Sequence, residues 1–307
     1  MDQSLQFDLD LIKRYDNSGP RYTSYPTALE LHEGFGDEDY RRHIAQSTAA
    51  GGPLSLYFHI PFCDTVCFYC ACNKIVTKNR AHAEPYLDNV CREIELQGAL
   101  FDKSRKVDQL HWGGGTPTFL SDEQMQRLMG TTRQHFNLHS DDSGQYSIEV
   151  DPRETNDRTI AQLRELGFNR ISLGLQDFDP DVQKAVNRMQ SKAQTFAVLE
   201  AARKEGFRST NIDLIYGLPK QTEASFAQTL DQVLTYAPDR FSIFNYAHLP
   251  SRFKTQRQIN EADLPTPAVK LDILQMVGRK LLDAGYVYIG MDHFAKPDDE
   301  LAVAQRE

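Results

Sequence analysis

Basic charge is scarce in this chain of 307 residues: 34 Lys and Arg stand against 43 Asp and Glu, a net charge of −9. A face that tracks a phosphate backbone needs the opposite balance. Nucleic acid is therefore excluded as the main partner, but a small anion held by a few local arginines is not. No apolar run approaches the roughly 20 residues of a membrane-crossing helix. The opening residues, MDQSLQFDLD, are polar and acidic, unlike a signal or transit peptide. A cytoplasmic protein with no membrane partner is expected. Cysteine is almost confined to one place. Four of the 5 lie between Cys63 and Cys72, and Cys91 falls in a helix-like run as a small buried apolar residue. No internal repeat is visible.

What is present begins with SLYFHIPFCDTVCFYCACNK, residues 55–74. An apolar run stopped by Pro61 delivers Cys63, Cys67, Cys70 and Cys72 onto one loop. Disulfides need an oxidising compartment, for which the chain carries no signal. Structural zinc usually draws a second Cys or His knuckle from elsewhere, and none follows. Cys-x3-Cys-x2-Cys suits three thiolates around one compact cubane. Cys63, Cys67 and Cys70 would ligate three irons of a 4Fe–4S cluster and leave the fourth without a protein ligand. An open metal position is where chemistry takes place. Zinc and inert thiols are the other readings.

From residue 53 onward, strand-like and helix-like runs alternate. Strands are expected at 55–60, 109–112, 146–150, 170–175, 210–215, 241–246 and 286–289. Helices are expected at 84–100, 122–136, 156–166, 180–186, 193–205, 223–235 and 267–284. Ser121 followed by Gln124 has the capping-box pattern, and Gly167, Gly206 and Gly285 read as helix stops. Six or seven βα units in about 240 residues fit a full or partial (β/α) barrel, with the site at the C-terminal ends of its strands.

Polar residues gather at those ends. The run HWGGGTPT at 111–118 does not match the dinucleotide fingerprint GxGxxG. Its glycines let a ligand lie against bare backbone, or simply make a tight turn. Alternation puts Glu149 and Asp151 on one face of the third strand, and Ser172, Gly174 and Gln176 on one face of the fourth. Asn211 and Asp213 share a face of the fifth; Asn245, Ala247 and His248 stand near the tip of the sixth. Polar groups from five strands point to a large polar ligand. His59 and His111 read equally as catalytic or as supports for other groups. Before the barrel, SGPRYTSYPTA at 18–28 cannot be regular helix. Arg21 there either packs in a tyrosine-rich loop or pairs a substrate carboxylate.

The cysteine spacing, with Tyr69 before the third thiol, resembles the signature of radical S-adenosylmethionine (SAM) enzymes. The segments GPRYTSYPTA, SIEVDPRE, GFNRISLGLQDF, TNIDLIYGLPKQ, FNYAHLP and GMDHFAKPDDELAVAQ extend the likeness over residues 19–305. Together they closely resemble the oxygen-independent coproporphyrinogen III oxidase family. The resemblance implies a partial TIM-type α/β barrel, expected at 53–294, behind an N-terminal extension at 1–52. It implies a helical C-terminal domain to which 295–307 would connect; with the mouth uncovered, 1–307 alone is expected to turn over little.

The resemblance further implies one 4Fe–4S cluster on Cys63, Cys67 and Cys70, and two SAM molecules. Tyr57, Tyr69, Gly113, Gly114 and Glu149 match positions around the first SAM. Gly115, Thr116, Gln176, Arg188, Asp213 and Ala247 match those around the second. Tyr57, Glu149 and Arg21 are expected to serve the reaction, Arg21 at a substrate propionate. The implied activity converts two propionates of coproporphyrinogen III to vinyl groups in heme biosynthesis. An unidentified electron donor and acceptor and a monomeric state go with it. The alternative is a heme-binding, heme-delivering relative without decarboxylase activity. Cys72 and the RYTSYP segment favour the oxidase, although Cys72 itself has no assigned role.

Overall fold

The computed structural model describes residues 7–15 and 26–307. Arg21 and most of the 18–28 segment lie outside them. After helix α1 (Asp37–Ala50), six strands follow in order. They are β1 (Leu54–Ile60), β2 (Lys106–Gly114), β3 (Gln145–Val150), β4 (Arg170–Gln176), β5 (Ser209–Tyr216) and β6 (Arg240–Asn245). All five neighbouring pairs are parallel and adjacent in sequence. Helices α2 (Ala83–Gly98), α3 (Asp122–His135), α4 (Asp157–Glu165), α5 (Lys192–Lys204), α6 (Glu223–Leu234) and α7 (Pro267–Asp283) alternate with them. This is the parallel βα succession expected of the partial barrel.

The seventh strand-like run departs from that succession. It forms β7 (Val287–Gly290), which turns at Met291 and Asp292, both in left-handed backbone, into β8 (His293–Ala295). The strand β8, not β7, pairs with β6, and both pairings are antiparallel. A hairpin therefore ends the sheet where another βα unit was expected. No pairing joins β1 to this hairpin among the described residues, so the barrel stays open. Residues 295–307 are not merely a polar connection. Helix α8 (Glu300–Arg306) places Glu300 against Arg170 and Arg240, and Asp299 sits 2.7 Å from Arg240, at the N-terminal ends of β4 and β6.

Alternation decides which side of the sheet is which. Tyr146, Ile148 and Val150 of β3, and Ile171, Leu173 and Leu175 of β4, are buried in one continuous apolar core. Leu163, Leu199 and Leu230 meet them there from the helices. The opposite faces carry His111, Ser147, Glu149, Ser172, Asn211, Asp213 and Ser242, and these line the lumen. A TIM barrel usually fills its interior with branched apolar side chains; this one is polar instead. The capping box at Ser121 and Gln124 forms in both directions. Gly167, Gly206 and Gly285 each take the left-handed backbone that ends a helix. No described helix is long and apolar enough to cross a membrane.

Candidate active site

Pro61 cannot donate to the sheet, so β1 stops there and the chain leaves its path. Phe62–Cys63 pairs briefly with Ile75–Val76, which closes the base of the cysteine loop. The glycine run after β2 packs flush against that base. The Gly115 N–H donates to the carbonyl of Ile60 at 2.8 Å, and Thr116 N–H to that of Phe62 at 2.7 Å. A Cβ on Gly115 would lie 2.6 Å from the Phe62 carbonyl oxygen and 2.7 Å from Pro61 backbone atoms. Neither neighbour can swing away. Gly115→Ala is expected to cost about 1–3 kcal/mol, the range of overpacking, readable as a lowered urea midpoint with unchanged slope.

The structure brings most of the expected residues to one place. A cavity of about 730 Å³ is rimmed by Cys63, Cys67, Cys70 and Cys72. Tyr69, Gly114, Gly115, Thr116, Glu149, Gln176, Arg188 and Asp213 line it too. His59, Asn245 and His248 are not among the lining residues, and of the described positions matched to SAM three do not line the cavity directly. Tyr57 is exposed; its ring stacks on His111 at 5.7 Å and its hydroxyl lies 2.9 Å from His59 Nδ1. Gly113 stands behind Glu149, whose Oε1 would be 2.8 Å from a Cβ there. Ala247 is exposed beyond β6.

The two histidines act here as supports. His59 Nε2 is 2.8 Å from the Asn73 carbonyl, tying β1 to the far end of the loop. His111 sits between Ser147 Oγ at 2.5 Å and Glu149 Oε1 at 3.2 Å. Glu149 also accepts from Gly114 N–H at 3.1 Å. Gly114 has φ +118°, which aims that N–H at the carboxylate.

All four loop cysteines are free thiols. Burial pushes Cys63 up to about 11, against a weak opposing contact from Thr116 Oγ1 at 3.8 Å. Cys70 is pulled down to about 6, first by a hydrogen bond from the Cys72 thiol, which is itself raised by that contact. Cys67 lies between two guanidiniums, with Arg188 Nη1 at 3.5 Å and Arg153 Nη2 at 3.7 Å. The same two arginines grip Asp151, at 3.0 Å and 2.6 Å. Burial alone would raise Asp151; the paired cations overcome it and hold the carboxyl at about 2. Arg153 lies in the segment SIEVDPRE, but it follows the strand, where no periodicity marks a residue as functional.

Among the described residues no three His, Cys, Asp or Glu side chains converge as a single-ion site. The three thiols stand around a cavity instead, with cationic and hydroxyl donors aimed at their sulfurs. That donor set fits an anionic, thiolate-held cluster. The lumen fits a polar ligand beside it. Gln176 ends β4 at a bulge in left-handed backbone, φ 71°, and its buried Oε1 has no donor among the described residues. A buried acceptor without a donor calls for a partner that the chain itself does not supply.

Asp213 is the buried carboxyl of the lumen. It accepts from Ser172 Oγ at 3.0 Å and Asn211 Nδ2 at 2.8 Å. Burial, then repulsion from Glu149, pushes it up to about 6. An unfolded aspartate titrates near 3.9. Between those values the folded chain holds a proton that the unfolded chain does not, so this group's contribution to stability is lost as pH rises towards 6. Thermal unfolding of the wild type and Asp213→Asn across pH 4–7 checks this: the variant gains on the wild type as pH rises.

The Radical SAM superfamily profile matches residues 57–233. Oxygen-independent coproporphyrinogen III oxidase of Pseudomonas aeruginosa is 59% identical over 304 residues, covering 99% of this chain and 66% of that protein. The Escherichia coli K12 protein of the same name is 55% identical, with 99% and 66% covered. The solved structure of coproporphyrinogen III oxidase (HemN) from Escherichia coli, described as a radical SAM enzyme, superposes with a TM-score of 0.92 at 53% identity. It is covered to 67%, and this chain to 99%. The chain thus spans just under two thirds of the length of the curated relatives it matches.

Proposed function

This chain belongs to the radical SAM superfamily and, within it, to the oxygen-independent coproporphyrinogen III oxidase family; from that premise we propose that the protein decarboxylates two propionates of coproporphyrinogen III to vinyl groups, yielding protoporphyrinogen IX. Each –CH2–CH2–COO⁻ arm loses a hydrogen atom, CO2 and one electron to become –CH=CH2. No side-chain acid or base can take hydrogen from that unactivated carbon. A reduced 4Fe–4S cluster with bound SAM supplies a primary alkyl radical that can.

The chain's own residues hold and orient. Cys63, Cys67 and Cys70 would carry the cluster. Gly113, Gly114, Glu149, Tyr57 and Tyr69 would seat the first SAM; Gly115, Thr116, Gln176, Arg188, Asp213 and Ala247 would serve the second. Arg21 is the proposed partner of a substrate propionate. Residues 53–294 would form the catalytic unit of a cytoplasmic monomer, with 1–52 on the substrate side. An electron donor and an acceptor complete the stoichiometry. The observation that carries this reading is the juxtaposition of three rim thiols with a polar lumen in one cavity. The full-length protein, reconstituted and reduced under nitrogen, is incubated with SAM and coproporphyrinogen III, and porphyrins are analysed after oxidation. Protoporphyrin is the expected product. Bound heme with coproporphyrin unchanged would favour heme delivery instead.

A further inference from the structure

The segment that carries the cysteines leaves the main sheet, so its carbonyls must find donors elsewhere. Two side chains reach it from opposite flanks. Asn187 follows the short helix Pro180–Ala185 and lies in left-handed backbone, φ 53°, a conformation asparagine tolerates better than most residues. From there its Nδ2 donates to the Val66 carbonyl at 2.8 Å, while the Phe68 N–H donates to the Val186 carbonyl at 2.9 Å. On the other side, Gln256 sits in the 3-10 turn Lys254–Gln258 beyond β6 and is 1% exposed. Its Nε2 donates to the Tyr69 carbonyl at 3.0 Å and the Ala247 carbonyl at 3.2 Å; its Oε1 accepts from Leu249 N–H at 2.6 Å.

The two pinned carbonyls share one feature. Val66 immediately precedes Cys67, and Tyr69 immediately precedes Cys70. Because the peptide unit is planar, fixing the carbonyl constrains where the next Cα stands. Phe68 and Tyr69, between the two pins, pack against a satellite apolar cluster of Val182, Val186, Leu218, Tyr246 and Ile259, separate from the main core. Burying an amide without partners is costly, and both ends of Gln256 are spent on main chain. An apolar side chain could fill the same space; it could not hold these two loop carbonyls.

We propose that Asn187 and Gln256 are positioning residues that set the spacing of Cys67 and Cys70 before any metal arrives. Neither offers a thiolate and neither lines the cavity. The inference rests on the cluster assignment above and adds what fixes the ligand geometry. It also ties the loop to the tip of β6 through Ala247, so a shift at one is felt at the other.

The test uses Asn187→Gly, which keeps the left-handed backbone, and Gln256→Leu, which keeps the bulk. In reconstituted protein, the loss of cluster absorbance to a ferrous chelator is followed under nitrogen. In metal-free protein, alkylation of Cys67 and Cys70 by iodoacetamide is followed by mass spectrometry, with buried Cys91 on α2 as the internal control. Each variant is expected to lose its cluster at least tenfold faster, the lower bound for removing a support of a metal ligand. Cys67 should alkylate faster in the first variant and Cys70 in the second, with Cys91 unchanged. Wild-type rates in both variants would overturn the proposal. So would fast alkylation of Cys91 in both, which would assign the two residues to the fold at large. A wild-type chain that takes up no cluster would defeat the cluster assignment, while the alkylation rates would still judge these two residues.

Discussion

Cys67→Ala is expected to leave a folded chain that retains almost no iron after reconstitution, where the wild type takes up about four irons. The other two thiolates cannot hold a cube that has lost a third of its protein ligands. The surroundings sharpen the effect. Cys67 is buried with Arg188 and Arg153 within 3.7 Å of its sulfur, so the pocket is built for negative charge at that atom. Alanine leaves two guanidiniums facing a cavity with one carboxylate, Asp151, between them and the Gly174 carbonyl on Arg188. Cys72→Ser is the matched control. Its thiol touches Cys70 from outside the set of three, so iron content should stay near the wild-type value. Iron and sulfide analysis of both variants, purified anaerobically, measures the contrast. In the full-length protein, the proposed product formation should vanish in the first and persist in the second.

Arg188→Met is expected to be the most destabilising single change at the site. Arg188 and Asp151 bury each other, with 7% and 9% of their side chains exposed. Removing one partner of such a pair leaves an uncompensated charge and typically costs about 3–5 kcal/mol. Arg153 still pairs Asp151 at 2.6 Å, which places the loss near the lower figure. At about 2 °C per kcal/mol for a domain of this size, the melting temperature should fall by about 6 °C. Asp151→Asn added to Arg188→Met takes away the carboxylate that Arg153 grips as well, and should lower the melting temperature further. Differential scanning calorimetry of the two variants and the wild type reads both shifts.

Much of this site was legible in the sequence because its parts follow short-range rules. Period-two alternation separates Ile148 from Glu149 and Leu173 from Ser172, and that is how the lumen became polar. Pro61 marks where β1 must stop, which puts the cysteines at a strand end. Direction is not encoded that way. The run at 286–289 has strand composition whichever way it points, and only the left-handed Met291–Asp292 turn makes it a hairpin. Contacts that span the chain were equally hidden. Gln256 lies 187 residues from Tyr69, and nothing in its neighbours distinguishes it from a surface glutamine. Ala247 shows the opposite limit: a motif position was named, yet its side chain is exposed and its structural contact is made by its carbonyl.

The decisive measurement is the EPR spectrum of the full-length protein, reduced under nitrogen, recorded before and after adding SAM. A cubane signal whose shape changes on addition is predicted, because three thiolates would leave one iron open to a ligand from outside the chain. A spectrum without a cubane, or one that SAM leaves untouched, would contradict the three-thiolate site.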